Sequence, residues 1–161
     1  MRGRSILLLV AIAFSLLTAF TVPTVQAQIP KGDQCWTVRV TQTEKGPVPA
    51  ATPMIFTVKM HIVPQDAFQA TVSGFVNEPG NNPFILTGTA ALVNSSIYLN
   101  LATSQAHRSE PWRDSGVMQA VLSPTTLGGT FWEIRNDYNT STRQFVHGYS
   151  AGTLTKKAAC Q

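Results

Sequence analysis

Glu133 and His147 are two residues of the sequence whose types and spacing could form an acid/base pair. If the strands that carry them pair so that Arg135 faces Phe145, the carboxylate of Glu133 faces the imidazole of His147. Such a pair can transfer protons in general acid/base catalysis, or it can provide a polar contact point inside a cavity.

A second arrangement of the same hairpin places Trp132, Ile134 and Val146 inside and the Glu133–His147 pair outside. We expect this second arrangement, because burying charged groups is expensive and a tryptophan packs well over a glycine. It leaves an exposed aromatic strip that would suggest a dimer interface or another partner, formed by Phe131, Phe145 and Tyr149. We therefore do not expect an enzyme.

The segment "SQAHRSEPWRDSG" collects charged and aromatic residues in what we interpret as a loop. Trp112 lies there beside Arg113, among His107, Arg108, Glu110 and Asp114. Such a loop can overhang the mouth of a barrel and contact an anionic or ring-bearing ligand. The alternative is a solvated loop whose Trp112 packs against the rim, which is what we expect.

Other motifs for chemistry are missing from the sequence. It contains no glycine-rich phosphate loop, nucleophile elbow or closely spaced histidine pair, and His61, His107 and His147 lie in different segments. We expect neither a cofactor nor a metal. After residue 27, ten Lys and Arg oppose eight Asp and Glu without forming a basic patch, so nucleic-acid binding has no support.

Alternation of apolar and polar residues predicts the elements that position these residues. Eight runs alternate with a period of two or resemble strands: CWTVRV, MIFTVKMHI, FQATVSGFV, FILTGTAAL, SIYLNL, GVMQAVL, GGTFWEIR and FVHGYSAGTLT. Seven turn-rich breaks separate them, and no proline interrupts a run. The sequence therefore predicts an all-β fold, an eight-stranded antiparallel up-and-down barrel.

The inward faces of the clean strands supply candidates for the lining of a ligand cavity: Trp36, Val38, Phe56, Val58, Met60, Val72, Leu86, Leu99 and Leu101, with Trp112 at the mouth. A fully packed core accounts for the same residues. Glycines such as Gly74 and Gly88 fit an open interior, or kinks that let the sheet close. Glu133, His147 and Arg113 are the candidate polar contacts.

The first 27 residues resemble an export signal. Arg2 and Arg4 precede an apolar run, and "VPTVQA" offers a cleavage site after Ala27. An uncleaved membrane anchor is the alternative. We expect residues 28–161 to form a single domain in the bacterial periplasm or outside the cell.

Cys35 and Cys160 lie near the two ends of that domain. In a closed eight-strand meander the start of the first strand lies beside the end of the last, so we expect an intramolecular disulfide across this seam. Free thiols or an intermolecular bridge are alternatives. The spacing does not match a redox motif or a metal site.

A tryptophan opening the first strand, eight strands in a meander and a tethered C-terminus resemble the small lipocalin-like (calycin-type) and avidin-like barrels. Gly32 precedes Trp36, although the lipocalin signature places its glycine nearer the tryptophan. The resemblance implies that the barrel binds a small apolar or aromatic ligand inside.

Two functions follow from these observations. One is ligand binding in an exported, non-enzymatic barrel; the other is a structural or protein-interaction role at the cell envelope or surface, through the aromatic strip. We expect a monomer or a homodimer. Insertion into a membrane is disfavoured because the outward faces carry Arg39, Lys59 and His61.

Overall fold

The computed structural model describes residues 27–76, 82–108 and 110–160. Residues 1–26 of the predicted export signal and most of the predicted turn-rich break between FQATVSGFV and FILTGTAAL lie outside these residues. Nine strands form one antiparallel sheet: β1 (Gly32–Thr43), β2 (Gly46–Pro47), β3 (Met54–Pro64), β4 (Gln69–Val76), β5 (Phe84–Val93), β6 (Ser96–Ala106), β7 (Trp112–Leu122), β8 (Gly129–Asn139) and β9 (Gln144–Lys156). β2 is a short addition to the end of β1, and the other eight are the predicted strands.

The eight long strands form a closed barrel, as predicted. Each pairs with the next along the chain, and β1 also pairs with β9, from Trp36 opposite Lys156 to Thr43 opposite Ser150. We call the end where β1 begins and β9 ends the closed end, and the opposite end the open end. No helix among the described residues is long and apolar enough to cross a membrane.

A disulfide between Cys35 and Cys160 joins the start of β1 to the segment after β9, and this prediction is confirmed. The two Cα atoms lie 5.3 Å apart, within the usual range for a disulfide. Backbone pairing continues the seam, because Lys157 donates a hydrogen bond to the carbonyl of Cys35 at 2.8 Å. The described part of the chain holds no free cysteine.

The closed end of the barrel is a packed apolar core. Trp36 is fully buried, and its indole Nε1 donates a hydrogen bond to the carbonyl of Leu127 at 2.6 Å, in the turn between β7 and β8. Ile29, before β1, packs into the same cluster. The turn and the N-terminal segment therefore cover this end.

Glycines on the inward faces support the kink interpretation. A β-carbon on Gly88 would collide with the backbone of Asn100, and one on Gly74 would meet the carbonyl of Lys59 and the side chain of Met60. The neighbouring strands approach these positions too closely for a side chain. The glycines let the sheet coil tightly, as closure of a small barrel requires.

Strand ends differ from the prediction at the open end. β6 continues to Ala106 and β7 begins at Trp112, so the predicted long loop is a short connection over residues 107–111. β8 continues to Asn139, whose Oδ1 accepts hydrogen bonds from the backbone of Ser141 and Thr142. The sequence predicts breaks at the polar residues of these segments, but in the structure those residues extend the strands beyond the apolar core.

The disulfide generates a testable prediction. It closes a loop with a sequence separation of 125 residues, which corresponds to about 5 kcal/mol of unfolded-state entropy on the chain-entropy model. We expect the double variant Cys35→Ser/Cys160→Ser to lose about 2–5 kcal/mol of unfolding free energy, measured by urea denaturation. Alkylation without reductant gives the control: if both thiols of the native protein react, the bond is absent.

Candidate ligand-binding site at the open end of the barrel

A pocket of about 150 Å³ lies inside the open end, where strands β1, β3, β4, β5, β8 and β9 converge. One part of its lining is apolar, formed by Val40, Met54, Phe56, Val76 and Phe84; the rest is polar, formed by Thr43, Glu133, Arg135 and Ser150. Met54 and Phe56 are 50% and 37% exposed, although they continue the inward face of β3. Large apolar side chains therefore remain accessible at this pocket.

Three polar layers follow from the pairing of β8 with β9. Glu133 lies opposite Ser150, Arg135 opposite Gly148, and Asp137 opposite Val146. Because alternate residues of a strand face the same side, these three β8 residues all point into the barrel. They step from the core toward the open end.

Glu133 is the innermost of the three and only 7% exposed. Its Oε1 accepts a hydrogen bond from the hydroxyl of Thr103 at 3.0 Å, and its Oε2 accepts one from the hydroxyl of Ser150 at 3.1 Å. Burial raises the pKa of Glu133, and the nearby Arg135 and the two hydroxyls oppose that rise without cancelling it. When it is protonated, this carboxyl group can donate a hydrogen bond as well as accept one.

Arg135 and Asp137 are incompletely paired within the described structure. The Nε of Arg135 lies 4.0 Å from Oε2 of Glu133 and makes no hydrogen bond, and Oδ1 of Asp137 is also buried without a hydrogen-bond partner. Burial raises the pKa of Asp137, while the charge of Arg135 lowers it. This layer leaves hydrogen-bonding capacity unused.

A second pocket of about 350 Å³ lies farther toward the open end, lined by His107, Trp112, Asp114, Arg135, Asp137 and Val146. The imidazole Nε2 of His107 lies 2.9 Å from Oδ2 of Asp114. Trp112 is half-buried as the first residue of β7. It lies at the mouth as predicted, but on a strand and not on an overhanging loop.

The predicted register of the last hairpin is wrong. Arg135 pairs with Gly148, and His147 pairs with Asn136, whose Oδ1 lies 2.7 Å from the imidazole Nδ1. Glu133 is inside and His147 is exposed on the outside, so the two do not form a pair. The turn between the two strands spans residues 140–143, so its centre lies later in the chain than the predicted pairing requires, and this displaces the register.

The predicted facing of β8 is also wrong. Trp132 and Ile134 point outward and are 38% and 51% exposed, whereas Phe131 is buried. Val146 does lie on the inward face, opposite Asp137, but beyond the core, where it is 49% exposed. The aromatic strip therefore does not form as predicted. Phe145 stays exposed and contacts the ring of Tyr138, with ring centroids 4.8 Å apart.

Most of the predicted lining residues lie in the packed core. Eight of them are 3% exposed or less in one cluster: Trp36, Val38, Val58, Met60, Val72, Leu86, Leu99 and Leu101. Phe56 lines the inner pocket and Trp112 the outer one. Arg113 is exposed on the outside of β7, where its Nη1 donates to the carbonyl of Trp112 at 2.9 Å.

Sequence reasoning missed Asp137 and Ser150 as residues of the site and treated Arg135 only as a marker of register. One signal was present: Glu133, Arg135 and Asp137 alternate within "EIRND" and would share a face if that segment were a strand. The predicted strand GGTFWEIR ends at Arg135, so Asp137 falls in the predicted break that follows it.

The raised pKa of Glu133 predicts how stability depends on pH. The folded state holds this proton more tightly than the unfolded state, so the contribution is complete at low pH and is lost as the pH rises through the raised pKa. We expect Glu133→Gln to raise the free energy of unfolding at neutral pH by about 1 kcal/mol and to flatten its decrease with pH, measured by urea denaturation.

Glu44→Gln is the matched control, because hydrogen bonds from its own backbone and that of Tyr149 lower the pKa of Glu44. That variant is expected to lose stability at neutral pH, the opposite sign. A Glu133→Gln protein that is less stable than wild type at neutral pH would contradict the assignment.

Neither a protein-family model nor a curated protein matches the sequence. Among solved structures, a redesigned β-barrel is similar to this chain at 17% sequence identity, over 79% of this chain and 90% of that one, with a TM-score of 0.41. A likeness at this level carries no conclusion about ligand or function.

Proposed function

We propose that this protein is an exported, non-enzymatic barrel that binds a small ligand with an apolar or aromatic body in the inner pocket of the open end. The observation that carries the proposal is the lining of that pocket, where accessible apolar side chains adjoin the buried carboxyl of Glu133. Ligand sites typically combine apolar walls with a few convergent polar groups. The lipocalin-like interpretation of the sequence points to the same function.

The lining suggests how such a ligand would lie. Its hydrocarbon or ring portion would pack against Phe56 and Phe84, where the gain comes from removing apolar surface from water. A polar group on the ligand would reach Glu133, Ser150 or Arg135. These contacts would fix its orientation.

The disulfide supports the proposed export, because disulfides persist in oxidising compartments outside the cytosol. With the signal-like N-terminus of the sequence, it favours the periplasm or the extracellular space. A ligand carrier would meet its ligand there. We propose neither a metal nor a nucleic-acid partner for this protein.

Titration with 1-hexanol, followed by two-dimensional amide NMR, tests the binding site. We expect saturable shifts at Ser150, Glu133 and Phe84, and none at the closed end near Trp36. Thr43→Trp, which adds bulk at the rim of the inner pocket, should weaken binding by about tenfold or more, a cost of about 1.4 kcal/mol.

Thr130→Trp, on the exposed outer face of β8, is the matched control and should bind hexanol as wild type does. Shifts that never saturate, or that are unaffected by Thr43→Trp, would exclude the inner pocket. Native mass spectrometry of gently purified protein gives an independent readout, since a bound natural ligand adds mass that denaturation removes.

A second candidate function, self-association, is favoured by the outer surface of β7 and β8. Val117 lies opposite Ile134 on the outside of the barrel, with Val121 and Trp132 beside them, and all four are 38–51% exposed. The outer face of β1 and β3 is different, because Asp33 there forms ion pairs with Lys59 and His61. A contiguous exposed apolar patch is typical of an interface.

Sedimentation velocity tests this candidate. If two copies associate through the patch, a dimer forms as the concentration rises, and Ile134→Glu abolishes it because the charge would be buried without a partner. Thr87→Glu, on the exposed face of β5, should leave the dimer intact. A wild-type monomer across the concentration range would exclude self-association.

A further inference from the structure

Arg135 lines both pockets of the open end. The inner pocket lies on its core side, with Glu133 and Ser150, and the outer pocket lies on its other side, with Asp137 and Val146. Arg135 therefore occupies the layer between them. Its side chain is 31% exposed, so it contacts solvent as well as the pocket walls.

Two glycines make room for this side chain. Arg135 pairs with Gly116 on β7 and with Gly148 on β9. A β-carbon on Gly148 would lie 3.3 Å from both Nε and Nη2 of Arg135, which shows that the guanidinium lies across the glycine. In this layer of the β7–β9 wall, Arg135 is the residue that projects a side chain inward.

The ion-pair and hydrogen-bond interactions that position the Arg135 side chain are weak. Its closest ion-pair distance is 4.0 Å, and the buried Nε has no hydrogen-bond partner in the described structure. Strong arginine–carboxylate pairs are shorter and often bidentate. The arginine thus separates the pockets without being locked into place by the barrel.

We infer that Arg135 is the residue that limits the length of the ligand: its long side chain forms the wall between the two pockets, so a bound molecule fills the inner pocket and ends at Arg135. This inference rests on the proposed function. A ligand group that meets the guanidinium would accept a hydrogen bond from it, and a neutral oxygen suits this place because Glu133 and Asp137 flank the arginine. The ligand class is a short apolar molecule with a neutral hydroxyl or carbonyl end.

A series of straight-chain primary alcohols, from butanol to decanol, measures this limit. In wild type, affinity is expected to rise about fourfold for each added methylene while the chain fits the inner pocket, and then to stop rising. In Arg135→Ala the two pockets join, so affinity is expected to continue rising for several more methylenes. Calorimetric titration gives the affinities, and amide shifts at Val146 and Asp137 report entry into the outer pocket.

Arg135→Met tests side-chain length and charge separately, because it keeps a long side chain but removes the charged guanidinium. It should keep the wild-type length limit. Arg39→Ala, on the exposed outside of β1, is the matched control for loss of an arginine. If Arg135→Ala does not fold, as judged by amide dispersion, Arg135→Thr, which also has a short side chain, is used and is expected to shift the limit in the same direction.

The outcomes distinguish the inference from the proposed function. If alcohols bind the inner pocket of wild type but the limit is the same in Arg135→Ala or Arg135→Thr, the inference is wrong and the binding function stands. If Arg135→Met extends the limit as far as Arg135→Ala does, charge and not the wall sets it, and the inference is again wrong. If no alcohol binds wild type at the inner pocket, the proposed function fails.

Discussion

Closure of the sheet between β1 and β9 is the constraint on which the rest of the structure depends. It gives each of the eight long strands a hydrogen-bonded neighbour on both sides, which removes the edges that a sheet would otherwise expose. A register shift between Val40 and Gln42 brings Thr43 opposite Ser150, so both face into the barrel at the inner pocket. The disulfide joins the other end of the same seam.

Closure also divides the interior into two parts with different chemistry. Near the termini, the inward positions hold apolar side chains that pack to full burial under the Trp36–Leu127 hydrogen bond. Toward the open end, the inward positions of β8 hold Glu133, Arg135 and Asp137 instead. The hydroxyls of Thr103 and Ser150 satisfy the first of these, and the outer two remain incompletely paired.

The sequence predicted the strands and the seam better than the site, for a physical reason. Alternation identifies a strand and its two faces, but it identifies the inner face only where one face is clearly more apolar. In β8 the outer face carries Trp132 and Ile134 while the inner face carries charges, so the expectation that apolar residues point inward failed. The register of the last hairpin was not predictable either, because it depends on where the turn after Asn139 is centred, and the polar residues at the ends of these strands resemble a loop.

The residues in the layer of Arg135 are not the ones that would best stabilise the folded barrel. Its neighbours are glycines, which weaken strands, and its partly buried charge lacks close hydrogen-bonded pairing. An apolar side chain at this position would extend the core that already fills the closed end, and replacing buried ion pairs in this way is often neutral or stabilising. Departures from good packing that cluster in one layer, between two pockets, are typical of a functional site. The cost of this layer to the fold therefore supports the proposed binding as much as the shape of the pockets does.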